Sequence, residues 1–211
     1  AAKELERAGA DVLELGVPFS DPLADGPVIQ RASQRALDRG VRLHDVLAAV
    51  RRIRQASDLP LLLFSYFNPL LQYGLGRLAA EARDAGVDGV LVTDLPPEEA
   101  DEWLEVARPA GLDTVFLAAP TSPVARLRRV AEASRGFVYA VSRTGVTGEV
   151  AALSDDARPL VERLRGLTGE PVVLGFAISS PEQARGAAAV ADGVVVGSAL
   201  VRFLEEEPQG D

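Results

Sequence analysis

One phrase recurs along this chain. AGADVLEL begins at Ala8, AGVDGVLV at Ala85 and AGLDTVFL at Ala110, with a looser VADGVVVG at Val190. Each joins the end of a helix-like pattern, a glycine suited to the left-handed C′ position, and an apolar strand. Repeated helix–strand joints of this kind mean βα units and a parallel sheet. Seven strands are expected, starting near Asp11, Leu59, Val87, Leu112, Gly136, Pro171 and Gly193. Helical patterns fill the gaps, roughly 28–56, 74–85, 97–109, 122–134, 155–167 and 181–190. Strands this apolar are covered on both faces, which leaves an open doubly wound sheet or a closed (β/α)8 TIM barrel. The barrel is favoured. No G-x-G-x-x-G follows the first strand, and most strand spacings fall at 22–28 residues, as in a uniform ring.

The chain has 211 residues and no methionine, and it opens on AAKELERAGAD, which reads as the second half of an amphipathic helix with Gly9 at its stop. The closing FLEEEPQGD reads as a helix start without its helix. A complete barrel takes about 250 residues. The expectation is therefore one barrel domain over 1–211, truncated, with the first strand and the last helix absent.

Composition narrows function by exclusion. A net charge of −9 argues against a nucleic-acid partner. No apolar run approaches the ~20 residues that span a bilayer, and no signal peptide is visible, so a cytoplasmic protein is expected. Without cysteine there is no thiol chemistry, and His44 as the only histidine is too little for a His-based metal site. His44 reads as a surface or capping residue, and the arginine-rich stretch 51–54 as a solvated helix face.

Chemistry concentrates after the strands. Two strand-to-strand spacings are long, about 48 residues from Asp11 and about 35 from Gly136. The extra length is assigned to loops 16–27 and 142–154, on the C-terminal face where barrel enzymes keep their active sites. PFSDPLADGP is too proline-restrained to be a floppy linker, whereas SRTGVTGEVA suits a mobile lid. Inside the first strand, Glu14 shares a face with Val12 and Gly16, opposite the apolar Leu13, Leu15 and Val17. A carboxyl group there loses hydration, its pKa rises, and it becomes an acid and base near neutral pH. The alternative is a structural glutamate paired with an arginine or with backbone amides. Asp25 is either a turn or N-cap aspartate or the second member of a carboxylate pair with separated roles. Asp21 and Asp94 read as structural.

A second set reads as an anion site. GFAIS (175–179) follows one strand, and GSAL (197–200) follows the next and opens a helix. Backbone N–H groups at a helix start bind phosphate, and barrels often build that site after strands seven and eight. Between the two sets lie Phe64 and Tyr66 on one strand face, Leu91 and Thr93 on another, with Leu117, Tyr139 and Phe176 beside them. Most of these read equally as barrel core, although the tyrosine hydroxyls need partners if buried. An acid, a flat apolar slot and a phosphate end suit an aromatic ligand with a phosphate tail.

With LELGVPFSDPLADGPVIQ on the page, and YFNPLLQYG, GVDGVLVTDLPPEE, FVYAVSRTGVTG, GFAISSPEQ and ADGVVVGSALV following in order, the whole chain resembles the tryptophan synthase alpha chain family. The resemblance implies a cofactor-free retro-aldol cleavage of indole-3-glycerol phosphate to indole and glyceraldehyde 3-phosphate. It implies Glu14 as acid/base, Asp25 as the stabiliser of charge at the indole N–H, and Tyr139 beside the reacting carbons. Phe64, Tyr66, Leu91, Thr93, Leu117 and Phe176 would contact substrate, Thr147 would lie on a lid closing toward Asp25, and Gly148, Ala177, Gly197 and Ser198 would cradle phosphate. At Ala177 the family usually has glycine; the amide N–H survives the change. The resemblance also implies a beta-chain partner carrying pyridoxal phosphate in an alpha2-beta2 tetramer, with loop 18–25 on the interface. Rival readings are another phosphosugar barrel enzyme, such as an isomerase, and a non-catalytic activator of a beta chain.

Overall fold

A computed structural model describes residues 1–141, 156–175 and 178–206. The loop 142–154, with Thr147 and Gly148, lies outside the described residues, as do Phe176 and Ala177. By internal contacts the chain divides into two compact units, one formed by Ala1–Ala24 with Gln30–Val115, the other by Asp25–Ile29 with Phe116–Asp211.

The first unit holds a four-stranded parallel sheet in sequential order: β1 (Leu13–Gly16), β2 (Leu61–Ser65), β3 (Gly89–Val92) and β4 (Asp113–Val115). The second holds another, ordered β5 (Leu117–Ala118), β6 (Val138–Val141), β7 (Val172–Gly175) and β8 (Gly193–Val194). All seven expected strands are present, each starting within two residues of its expected place. The fourth is divided at Phe116 into β4, which pairs with β3, and β5, which pairs with β6.

The helices are α1 (Ala2–Arg7), α2 (Pro27–Asp38), α3 (Leu43–Arg54), α4 (Phe67–Tyr73), α5 (Leu75–Ala85), α6 (Asp101–Ala107), α7 (Val124–Ala133), α8 (Ala157–Arg165), α9 (Pro181–Ala188) and α10 (Ser198–Glu206). Three expectations are corrected here. The pattern over 28–56 is two helices, because Gly40 at φ +77 turns the chain between α2 and α3. Most of the extra length after β1 is therefore helix, with a loop only over 17–26. The segment FLEE, expected to start a helix, is instead the last part of α10.

Helices α3 and α8 each bury one stripe at helical spacing: Leu43, Val46, Leu47 and Val50 in α3, and Ala157, Leu160, Val161 and Leu164 in α8. The recurring glycines do what their positions require. Gly9, Gly86 and Gly111 hold φ of +95, +96 and +75, closing their helices before the next strand. A side chain at Gly86 would also meet Arg54, 2.7 Å from its Cγ.

The aspartate after that joint has its own task. Asp88 Oδ2 accepts the N–H of Leu61, the first residue of β2, at 2.8 Å. Arg54 donates to the same carboxylate, and to the carbonyls of Gly86 at 2.7 Å and Leu59 at 2.5 Å. The second unit repeats the arrangement: Asp192 accepts the N–H of Val172, the first residue of β7, at 2.8 Å, and Arg165 at 2.6 Å. These bonds hold the Asp192 carboxyl below its usual range, the Arg165 bond contributing most. The sequence expectation of a solvated 51–54 face thus fails at Arg54, which is drawn in by three carbonyls and a carboxylate, while Arg51 and Arg52 stay exposed.

The two braces differ in burial, and that sets their worth. The Arg54 side chain is 21% exposed against 46% for Arg165. Arg54→Leu strands a partly buried carboxylate and three carbonyls, so it should cost about 2 kcal/mol in urea unfolding. Arg165→Leu should cost less than about 1 kcal/mol, as exposed pairs do. Equal losses would show that burial does not decide the strength of the brace.

Candidate active site

The functional side chains begin with strand parity. Register pairs Glu14 with Leu62, and Gly16 with Phe64 and then Leu91. Side chains on alternate strand positions share a face, so Glu14, Phe64 and Leu91 stand on one face of the first sheet. Tyr66 and Thr93 continue the same parity past the strand ends, where Thr93 N–H still bonds the Ser65 carbonyl at 2.9 Å. On the other face of β1, Leu13 and Val17 are buried. The sequence reading of that strand holds.

Glu14 keeps part of its surface open, but its carboxyl group lies deep enough that loss of hydration pushes its pKa from 4.5 up to about 7. Burial is the cause that raises it. The alternative of a glutamate paired with an arginine therefore finds no support among the described residues.

The loop after β1 is tied down along its length. Val17 N–H bonds the Phe64 carbonyl at 2.9 Å. Ser33 on α2 clasps Phe19, its Oγ accepting the Phe19 N–H at 2.9 Å and donating to the Phe19 carbonyl at 3.2 Å. Ala24 N–H donates to the Tyr66 hydroxyl at 2.9 Å. Asp21 accepts from the Ser20 hydroxyl at 2.5 Å, and Asp94 accepts the Phe67 N–H at 2.7 Å, the loop-ordering bond expected of Asp94. Asp25 follows directly in the chain, half-buried, two residues before α2 begins.

In the second unit, Leu117 pairs with Tyr139, and Tyr139 with Val173, so Leu117 and Tyr139 share a face. Tyr139 is buried and its ring lies over Gly175, where a Cβ would fall 2.1 Å from the hydroxyl oxygen. Gly197 and Ser198 stand exposed at the start of α10, with open space over Gly197. His44 is an exposed residue on α3, its Nε2 3.1 Å from Asp45.

Sequence reasoning missed Ser33 and Gly175. No motif marks Ser33, since its role depends on a residue 14 positions away. Gly175 did carry a signal: a glycine ending an apolar strand marks close approach by a neighbour. Among the described residues, no group of three or more His, Cys, Asp and Glu is placed to hold a metal ion, and no helix is long and apolar enough to cross a membrane.

Comparison with known proteins agrees with this geometry. The family model described as tryptophan synthase alpha chain matches residues 1–211. The tryptophan synthase alpha chain of Geotalea uraniireducens is 54% identical over 203 residues, covering 96% of this chain and 76% of that protein. That of Solibacter usitatus is 54% identical over 205 residues, covering 97% and 77%. Among solved structures, the tryptophan synthase a2b2 complex of Pyrococcus furiosus superposes with a TM-score of 0.90 at 40% identity, covering 98% of this chain and 84% of that one. Tryptophan synthase of Mycobacterium tuberculosis gives 0.89 at 45%, covering 97% and 78%. Together with the parallel sheets and alternating helices, these likenesses assign the fold class of the (β/α)8 barrel. The chain belongs to the tryptophan synthase alpha chain family.

Proposed function

We propose that the chain cleaves indole-3-glycerol phosphate to indole and glyceraldehyde 3-phosphate, with Glu14 as its acid and base. The observation that carries this reading is the Glu14 carboxyl, on one strand face with Phe64 and Leu91 and brought by burial to a pKa of about 7. A group with that pKa is protonated and deprotonated in comparable amounts near neutrality, which favours proton transfer in both directions.

The steps balance on that one group. The protonated Glu14 gives its proton to indole C3, leaving positive charge shared with the ring nitrogen. Asp25 stabilises that charge at the indole N–H. The Glu14 carboxylate then takes the proton of the glycerol hydroxyl beside the ring. The carbon–carbon bond breaks, its electron pair returns to the ring, and the hydroxyl carbon becomes the aldehyde. Glu14 ends protonated, ready for the next turn. Tyr139 would stand beside the reacting carbons, and Phe64, Tyr66, Leu91, Thr93, Leu117 and Phe176 would contact substrate. Thr147 would act from a lid, and Gly148, Ala177, Gly197 and Ser198 would hold the phosphate through backbone N–H groups. This chemistry asks no cofactor of the chain. The partner would be a beta chain carrying pyridoxal phosphate, in an alpha2-beta2 assembly working in the cytoplasm, with loop 18–25 on the interface. The Pyrococcus furiosus relative forms such an a2b2 complex.

Indole release from indole-3-glycerol phosphate tests the reaction directly. Glu14→Gln should slow it by about 10²–10⁴-fold, the usual worth of a general acid–base; near-parent turnover would sink the mechanism. Because the cycle starts from protonated Glu14, kcat/KM should fall as pH rises through about 7.

Stability should also fall as pH rises. A carboxyl whose folded pKa lies above its unfolded value destabilises the fold once it ionises. The effect is absent below pH 4.5, grows to about pH 7 and is full above that. Glu14→Gln should therefore be neutral at pH 4 and stabilising by about 3 kcal/mol at pH 8, read from urea unfolding at both pH values.

Gly175→Ala puts a methyl group where the Tyr139 hydroxyl lies. It should cost about 1–3 kcal/mol of stability, as overpacking does, and lower kcat by displacing the ring. A variant with parent stability and turnover would show that the ring moves freely.

A further inference from the structure

We infer that Tyr66 is a positioning residue for the cleavage, fixing through its hydroxyl the backbone that leads into Asp25; this rests on the proposed role of Asp25. Tyr66 stands where β2 ends and α4 begins, with extended backbone at φ −97 and ψ 161. It is 4% exposed. Its ring packs on Phe19, centroids 5.3 Å apart and planes tilted by 37°. A tyrosine buried this far keeps its hydroxyl only where that hydroxyl is satisfied, and here it accepts the N–H of Ala24 at 2.9 Å across 42 residues of sequence.

What it holds is otherwise open to solvent. Leu23 is 94% exposed, and Ala24 is exposed as well. The beginning of the loop has other ties: Val17 on the Phe64 carbonyl and Phe19 in the clasp of Ser33. At the far end, the Tyr66 hydroxyl ties Ala24 to the end of β2. Asp25 is the next residue along. A carboxylate that must meet a developing charge loses rate steeply with small displacement, so a bond one residue away bears on the chemical step. Tyr66 then does two things. Its ring supports Phe19, and its oxygen sets where the loop delivers Asp25.

Tyr66→Phe separates the two, keeping the ring and deleting the oxygen. Three variants are compared by steady-state indole release: Tyr66→Phe, Asp25→Asn and the double variant. Amide hydrogen exchange is read over residues 20–26. The expected result is a fall in kcat of about tenfold, the worth of one hydrogen bond, with KM within about twofold. Exchange at Ala24 should quicken, and the double variant should be no slower than Asp25→Asn alone. Losses that multiply in the double variant would overturn the proposal, because Tyr66 would then act independently of Asp25. So would a KM effect with kcat intact, which would make the hydroxyl a substrate ligand, and so would unchanged exchange at Ala24. If the parent protein releases no indole, the cleavage reading itself fails and the positioning role falls with it. The exchange measurement then still shows separately whether the hydroxyl anchors the loop.

Discussion

The aspartate that accepts the first N–H of a neighbouring strand sets the geometry on which the rest depends. Leaving a strand's opening N–H unmet while burying it is costly. Asp88 meets that need for Leu61, and Asp192 for Val172. Each is held by an arginine from the helix before the strand it serves, Arg54 or Arg165. Strand register follows, because the carboxylate reaches one N–H and no other. From that fixed start, parity decides which side chains share a face further along, and so which ones stand with Glu14.

The side chains of the proposed site lie along the same strands: Glu14 is the second residue of β1, Phe64 the fourth of β2, and Thr93 follows β3. The brace asks for charge paired with charge, whereas the Glu14 carboxyl is raised toward neutrality by burial.

Much of this was legible in the sequence, for identifiable reasons. The glycines at 9, 86 and 111 announced helix ends because only glycine takes their backbone angle cheaply, and strand starts followed from them. Glu14 was legible because an acid at an alternating position breaks an otherwise apolar rule. Arg54 was not: four residues of RRIR look alike on a helix, and what sets Arg54 apart is the position of carbonyls from residues 57, 59 and 86. The division of the 28–56 helix was hidden for a similar reason, since apolar periodicity resumes after Gly40 as though nothing had intervened. Tyr66 read as a pocket wall. Its bond to Ala24 joins two loops by a backbone N–H, and a backbone N–H has no sequence signature.

The braces also bear on the order in which the chain acquires its structure. Arg54 and Asp88 lie 34 residues apart, and Arg165 and Asp192 lie 27 apart. Closing a loop of that length costs modest entropy, and contacts this local favour fast formation. Each brace, with the strand it registers, is complete as soon as its own short stretch of chain exists. A chain emerging from the ribosome can therefore set its strands one βα step at a time, with no need of its far end to find the correct register.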